Sequence, residues 1–159
     1  MELEIGDIAP NFRLQNQDGI EVSLKDFSGN VVVLYFYPKD KTPGCTHEAC
    51  DFRDNMKTLA SFGATIIGVS PDSIKSHKSF IERDSLNFTL LSDPNKEVLE
   101  AYNAWGLKKL YGKEYYGVLR TTYIIGPSGK VEYIWKNVKV KGHAQEVMDK
   151  LKELYNKES

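Results

Sequence analysis

Residues Val31–Tyr37 read VVVLYFY, seven apolar strand-formers with no polar residue between them. A strand with one face in water alternates apolar and polar side chains. A run without alternation belongs to a strand covered on both faces, as in the parallel sheets of α/β proteins. A second segment, ATIIGVS at Ala64–Ser70, reads as another buried strand. Between the two, Cys45, Ala49, Phe52, Met56 and Leu59 fall at i, i+4, i+7, i+11 and i+14. That spacing predicts one amphipathic helix running on to Gly63, where a glycine fits the helix end. Parallel strands need a crossover of this length, so the segment must build a β-α-β unit.

The flanking segments extend this unit. NFRLQNQ and IEVSL, joined at Asp18-Gly19, predict an N-terminal hairpin. Pro71-Asp72-Ser73 opens a helix to about Asp84 with Ile74, Phe80 and Ile81 inward, and Asp93-Pro94 starts a shorter one carrying Val98, Leu99 and Tyr102. RTTYIIG and KVEYIWK, joined by Pro127-Ser128-Gly129, predict a second hairpin. Val147, Met148, Leu151, Leu154 and Tyr155 make the last helix amphipathic. The expected order is hairpin, β-α-β, α, α, β-β-α. It describes an α/β chain with a mixed sheet between helices, in the thioredoxin topology. At 159 residues, positions 1–159 read as a single domain.

Charge and segment lengths exclude several roles. The chain carries 21 Lys+Arg against 22 Asp+Glu, a net charge of −1, without the basic excess of a nucleic-acid binder. The opening MELEIGDIAP has three acids and no Lys or Arg, unlike a signal peptide. The longest apolar run is far below the roughly 20 residues of a membrane span. No nucleic-acid partner, no membrane partner and a cytoplasmic location are therefore expected. In that compartment thiols are kept reduced.

There are two cysteines, Cys45 and Cys50, in the string TPGCTHEAC. Cys45 falls where strand, loop and helix meet, the ligand-binding end of an α/β sheet. A thiol in the first helical turn meets unsatisfied N–H groups and the positive end of the helix dipole, which favour thiolate. Pro43 stiffens the entry and Gly44 permits close approach of the backbone. Five residues along a helix separate two Cα atoms by roughly 8.7 Å, whereas a disulfide needs about 4.4–6.8 Å. Cys45 and Cys50 therefore cannot bond while the helix is intact.

Other readings of the pair stand beside a catalytic one. Two thiols on a helix can be core packing. Cys45, His47 and Cys50 could ligate a metal, but no second Cys/His cluster completes a tetrahedral site. A Cys-His dyad is weak, because His47 points about 200° away from Cys45. His77 and His143 are expected in solvent, and Glu48 in the first helical turn, where an acid suits the dipole. Tyr35, Phe36 and Tyr37 read as core and pocket wall, while Trp105 and Tyr111 are candidates to line an approach to the site.

Pro38-x-x-x-Thr42-x-x-Cys45 resembles the active-site signature of peroxiredoxins, and TPGCTHEAC is similar to the peroxiredoxin Q or bacterioferritin-comigratory-protein subfamily. The likeness extends to APNFRLQNQDG, SPDS, LLSDP, the Tyr102–Gly117 stretch with YGKEYYG, and LRTTYIIGPSGKV. The resemblance implies a thioredoxin fold with an N-terminal extension. It implies a peroxidase in which Cys45 attacks peroxide and becomes a sulfenic acid, and Cys50 resolves it as a disulfide. Thr42 and Arg120 would complete the site, Pro38 would shield it, and the N–H groups of Gly44 and Cys45 would hold peroxide oxygens. No bound cofactor and no metal are implied. The implied partners are peroxides and thioredoxin or a similar dithiol reductant, with the enzyme a monomer. A disulfide oxidoreductase would instead carry C-x-x-C, which is absent.

Raising thiolate from about 3% at an ordinary thiol pKa to about 90% gains only roughly 30-fold. Fast peroxide reduction must therefore rely on donors placed on the O–O bond in the transition state.

Overall fold

The computed structural model describes residues 2–155. The strands are β1 (Arg13–Asn16), β2 (Glu21–Ser23), β3 (Val31–Phe36), β4 (Ala64–Ser70), β5 (Thr89–Ser92), β6 (Trp105–Leu110), β7 (Lys113–Val118), β8 (Thr121–Ile125) and β9 (Val131–Lys136). The helices are α1 (Pro43–Asp54), α2 (Met56–Ser61), α3 (Ile74–Asp84), α4 (Glu97–Ala101) and α5 (His143–Tyr155). Seven strands form one mixed sheet in the order β2-β1-β5-β4-β3-β8-β9. This is the thioredoxin-like α/β architecture expected, with the N-terminal hairpin added at one edge. No helix among the described residues is long and apolar enough to cross a membrane.

The central strand explains its own composition. All six residues of β3 are buried. Val31, Val33 and Tyr35 enter a core with Cys45, Phe52, Phe80 and Val147. Val32, Leu34 and Phe36 enter the other, with Leu99, Tyr102 and Tyr123. β3 runs parallel to β4, Val31 opposite Ala64 through Phe36 opposite Val69, and antiparallel to β8, Phe36 opposite Thr121. That register sets the residue before β8, Arg120, beside the end of β3, where α1 begins.

Three features depart from the sequence reading. The long helix is two: it breaks at Asn55, whose side-chain amide bonds back to the Asp51 carbonyl (2.8 Å), while its backbone N–H takes the tighter partner Phe52 O (3.2 Å). A short fifth strand, TLLS, joins β4 in parallel and β1 antiparallel. β6 and β7 form a separate two-stranded hairpin leading directly to Arg120.

Candidate active site

Helix α1 opens with Pro43 at its first position, where the missing N–H is no loss. Among the described residues no side chain caps this end. The N–H groups of Gly44 and Cys45 therefore face forward without intrahelical acceptors, and the first helical bond closes from Thr46 N–H to Thr42 O (2.8 Å). Cys45, in that first turn, is 1% exposed and a free thiol.

The guanidinium of Arg120 binds two groups at once. Nη2 donates to Cys45 Sγ at 3.0 Å, and Nη1 donates to Glu48 Oε1 at 3.0 Å. Cys45 and Glu48 are three apart on α1, so they share a helix face. Gly44 makes room for the arginine: a Cβ there would sit 3.1 Å from Arg120 Nη2. Arg120 is itself held by its chain neighbours, since Leu119 N–H donates to Ala104 O (2.7 Å) and Val138 N–H to Arg120 O (3.1 Å). Glu48 lies in the second turn of α1, not the first, because the helix begins at Pro43. It is 2% exposed. Burial pushes its pKa up to about 7, against the opposing pull of Arg120.

A buried polar network anchors the loop before α1. Asp40 accepts hydrogen bonds from Tyr37 Oη (2.6 Å) and Ser76 Oγ (2.7 Å), and its own N–H donates to Asp72 Oδ2 (2.8 Å). His77 Nδ1 lies 2.7 Å from Asp40 Oδ2 and Nε2 lies 2.9 Å from Leu91 O. Asp40, Asp72 and His77 bring three potential ligand atoms together, and internal hydrogen bonds already occupy them. The expectation of a solvated His77 is corrected: it is fully buried on the inner face of α3. His143 is corrected likewise. It is 1% exposed, 2.8 Å from Thr122 Oγ1, and burial lowers its pKa. Neither histidine could be placed from sequence, because Asp40, which holds His77, and Thr122, which holds His143, lie 37 and 21 residues away.

The other expected residues fall as follows. Thr42 precedes α1 and is half-buried, with its hydroxyl proton given to Lys39 O (2.8 Å), which leaves its oxygen lone pairs free to accept. Pro38 is half-buried at the start of the loop. Cys50 is half-buried on the same unbroken helix as Cys45, and burial raises its pKa. His47 is exposed and pairs with Asp51 (3.2 Å), away from Cys45 as expected. Tyr111 sits on the β6–β7 turn at 96% exposure, so it walls no pocket. Trp105 is half-buried beneath Lys96.

The AhpC/TSA family profile matches residues 5–134. The chain belongs to the AhpC/TSA family. Its relatives include peroxiredoxin Bcp of Bacillus subtilis, 48% identical over 157 residues, covering 99% of this chain and 100% of that one. Peroxiredoxin Bcp of Escherichia coli is 45% identical over 151 residues, covering 95% and 97%. Among solved structures, the Xanthomonas campestris bacterioferritin comigratory protein superposes with a TM-score of 0.89 at 37% identity, covering 96% and 98%. A cysteine-to-serine variant of Xylella fastidiosa PrxQ gives 0.91 at 36%, covering 97% and 98%. This AhpC/TSA protein is a peroxiredoxin, an enzyme of the thiol-peroxidase class that takes peroxide as oxidant and a thiol as reductant.

Proposed function

We propose that residues 1–159 act as one monomeric domain that reduces hydrogen peroxide and organic hydroperoxides at Cys45. We propose further that the enzyme is recycled through a Cys45–Cys50 disulfide by a dithiol reductant of thioredoxin type, without nucleic-acid or membrane partners and without a cofactor. The observation that carries this reading is the Arg120 fork, one arm on Cys45 Sγ and the other on buried Glu48. The solved Xanthomonas campestris relative is described by its alkyl peroxide reduction activity, which supports extending the substrates to organic hydroperoxides.

In the first step the Cys45 thiolate donates an electron pair to the distal peroxide oxygen. The O–O bond breaks, the alkoxide or hydroxide leaves and takes up a proton, and Cys45 becomes a sulfenic acid. Arg120 acts as a fixed positive donor for the thiolate and for the negative charge that develops on oxygen. The N–H groups of Gly44 and Cys45 and an accepting Thr42 oxygen orient the peroxide, while Pro38 limits water. In the second step the Cys50 thiolate attacks the Cys45 sulfur. The S–O bond breaks and hydroxide leaves as water with the proton that Cys50 released. Because helical spacing holds the Cα atoms roughly 8.7 Å apart, the first turns of α1 must unwind for this step.

Peroxide consumption with a thioredoxin system tests the reading. Hydrogen peroxide and cumene hydroperoxide are both consumed catalytically by the wild type, and Cys45→Ser abolishes consumption. Cys50→Ser consumes the first equivalent at the wild-type rate and then stalls. Full turnover by Cys50→Ser would overturn the intramolecular route.

A further inference from the structure

Tyr35 stands on β3 in the core beneath α1, and nothing in the scheme above uses its hydroxyl. Its ring packs on Tyr37 (5.4 Å), Phe52 (5.0 Å) and Phe88 (6.2 Å). It lies so close over Gly68 that a Cβ there would meet the ring at 2.9 Å, which fixes the ring in place. Tyr35 is 1% exposed. Among the described residues its hydroxyl oxygen is the only buried side-chain N or O atom without a hydrogen-bond partner. Burial, followed by the neighbouring Glu48 and Cys45, holds its pKa well above the ordinary phenol value. Those two residues occupy the inner face of the first turns of α1, the part that must unwind for resolution.

A buried hydroxyl with no partner raises the free energy of the state that buries it. Tyr35 shares a core cluster with Cys45, Ala49 and Phe52 of α1, so opening α1 uncovers that side of the core and admits hydrogen-bond partners to the group. We propose that Tyr35 is a positioning residue for the second chemical step: its unpartnered hydroxyl destabilises the closed helix and so favours the unwound form in which Cys50 reaches Cys45. This rests on the Cys45–Cys50 pairing proposed above. Its consequence is a kinetic partition at the sulfenic acid. Condensation with Cys50 gives the disulfide and water, whereas a second peroxide oxidises the sulfur to sulfinic acid and is itself reduced to alcohol or water.

Tyr35→Phe removes the hydroxyl and keeps the ring. After one equivalent of hydrogen peroxide, disulfide formation in Tyr35→Phe is expected to slow about tenfold, equivalent to about 1.4 kcal/mol. Peroxide attack on Cys45 stays within about twofold of wild type, so sulfinic acid formed in excess peroxide rises in proportion to the slower condensation. Amide hydrogen exchange at residues 44–50 of the reduced protein slows by a similar factor. A merely structural role would shift exchange across the sheet without changing the partition. Equal rates of disulfide formation in the two proteins would overturn the proposal alone. A wild type that forms no Cys45–Cys50 disulfide would overturn the pairing, and the proposal with it.

Discussion

Glu48 makes the stability of the reduced enzyme depend on pH in the direction opposite to an ordinary salt-bridged carboxylate. Burial raises its pKa from 4.5 to about 7 even with Arg120 bonded to it. Between these values the folded protein holds a proton that the unfolded chain has lost, so raising the pH disfavours folding. The stabilisation is complete below pH 4.5, falls as pH rises toward about 7, and stays lost above it. A shift of that size at 1.36 kcal/mol per unit gives about 3 kcal/mol. Glu48→Gln cannot titrate, so subtracting its stability curve from that of the wild type isolates the effect from groups common to both. Urea denaturation of both proteins with reductant present, from pH 4.5 to 8, is the assay. The wild type should lose about 3 kcal/mol relative to Glu48→Gln across that range. A flat difference, or one that favours the wild type as pH rises, would refute the argument from burial.

Three further outcomes follow from the same geometry. Arg120→Met should slow peroxide reduction by about 10²–10³-fold, while alkylation of Cys45 measured at the same pH is slowed far less; equal slowing of the two would show that Arg120 only supports ionisation. Gly44→Ala adds a methyl 3.1 Å from Arg120 Nη2, so peroxide reduction should fall on the order of tenfold without loss of thermal stability, and unchanged kinetics would refute the need for that space. His77→Ala leaves Asp40 buried without its imidazole partner and should lower urea stability by about 3–5 kcal/mol; a loss below about 1 kcal/mol would show that the loop does not depend on the pair.

The parts of this structure legible in the sequence are those whose cause is local. β3 is an unbroken apolar run and β4 a mostly apolar one because both faces of each are buried, and the β8–β9 hairpin and α5 follow from local turn chemistry and helical period. β5 escaped notice because four residues carry too little pattern; what makes TLLS a strand is its pairing with Ile67–Ser70 and Gln15–Asn16. The β6–β7 hairpin hid for a different reason. It stands apart from the main sheet and leaves Leu107, Leu110, Tyr115 and Tyr116 exposed, so neither face imposes an alternation. At the site, the loop-to-helix string announced Cys45, but Glu48 and Arg120 are 72 residues apart, and the burial that raises the Glu48 pKa is a property of packing. His77 shows the same limit: a polar residue on the inner face of α3 is accommodated only because Asp40, 37 residues earlier, is folded against it.

The central claim is that two thiols held apart by an intact helix nonetheless form a bond during turnover. Mass analysis of the reduced wild type after one equivalent of hydrogen peroxide tests it directly. A loss of two hydrogens (about 2 Da) confined to a peptide joining Cys45 and Cys50 is the predicted result. A Cys45 sulfenic or sulfinic acid persisting beside a free Cys50 thiol, or a disulfide joining two chains, would contradict it.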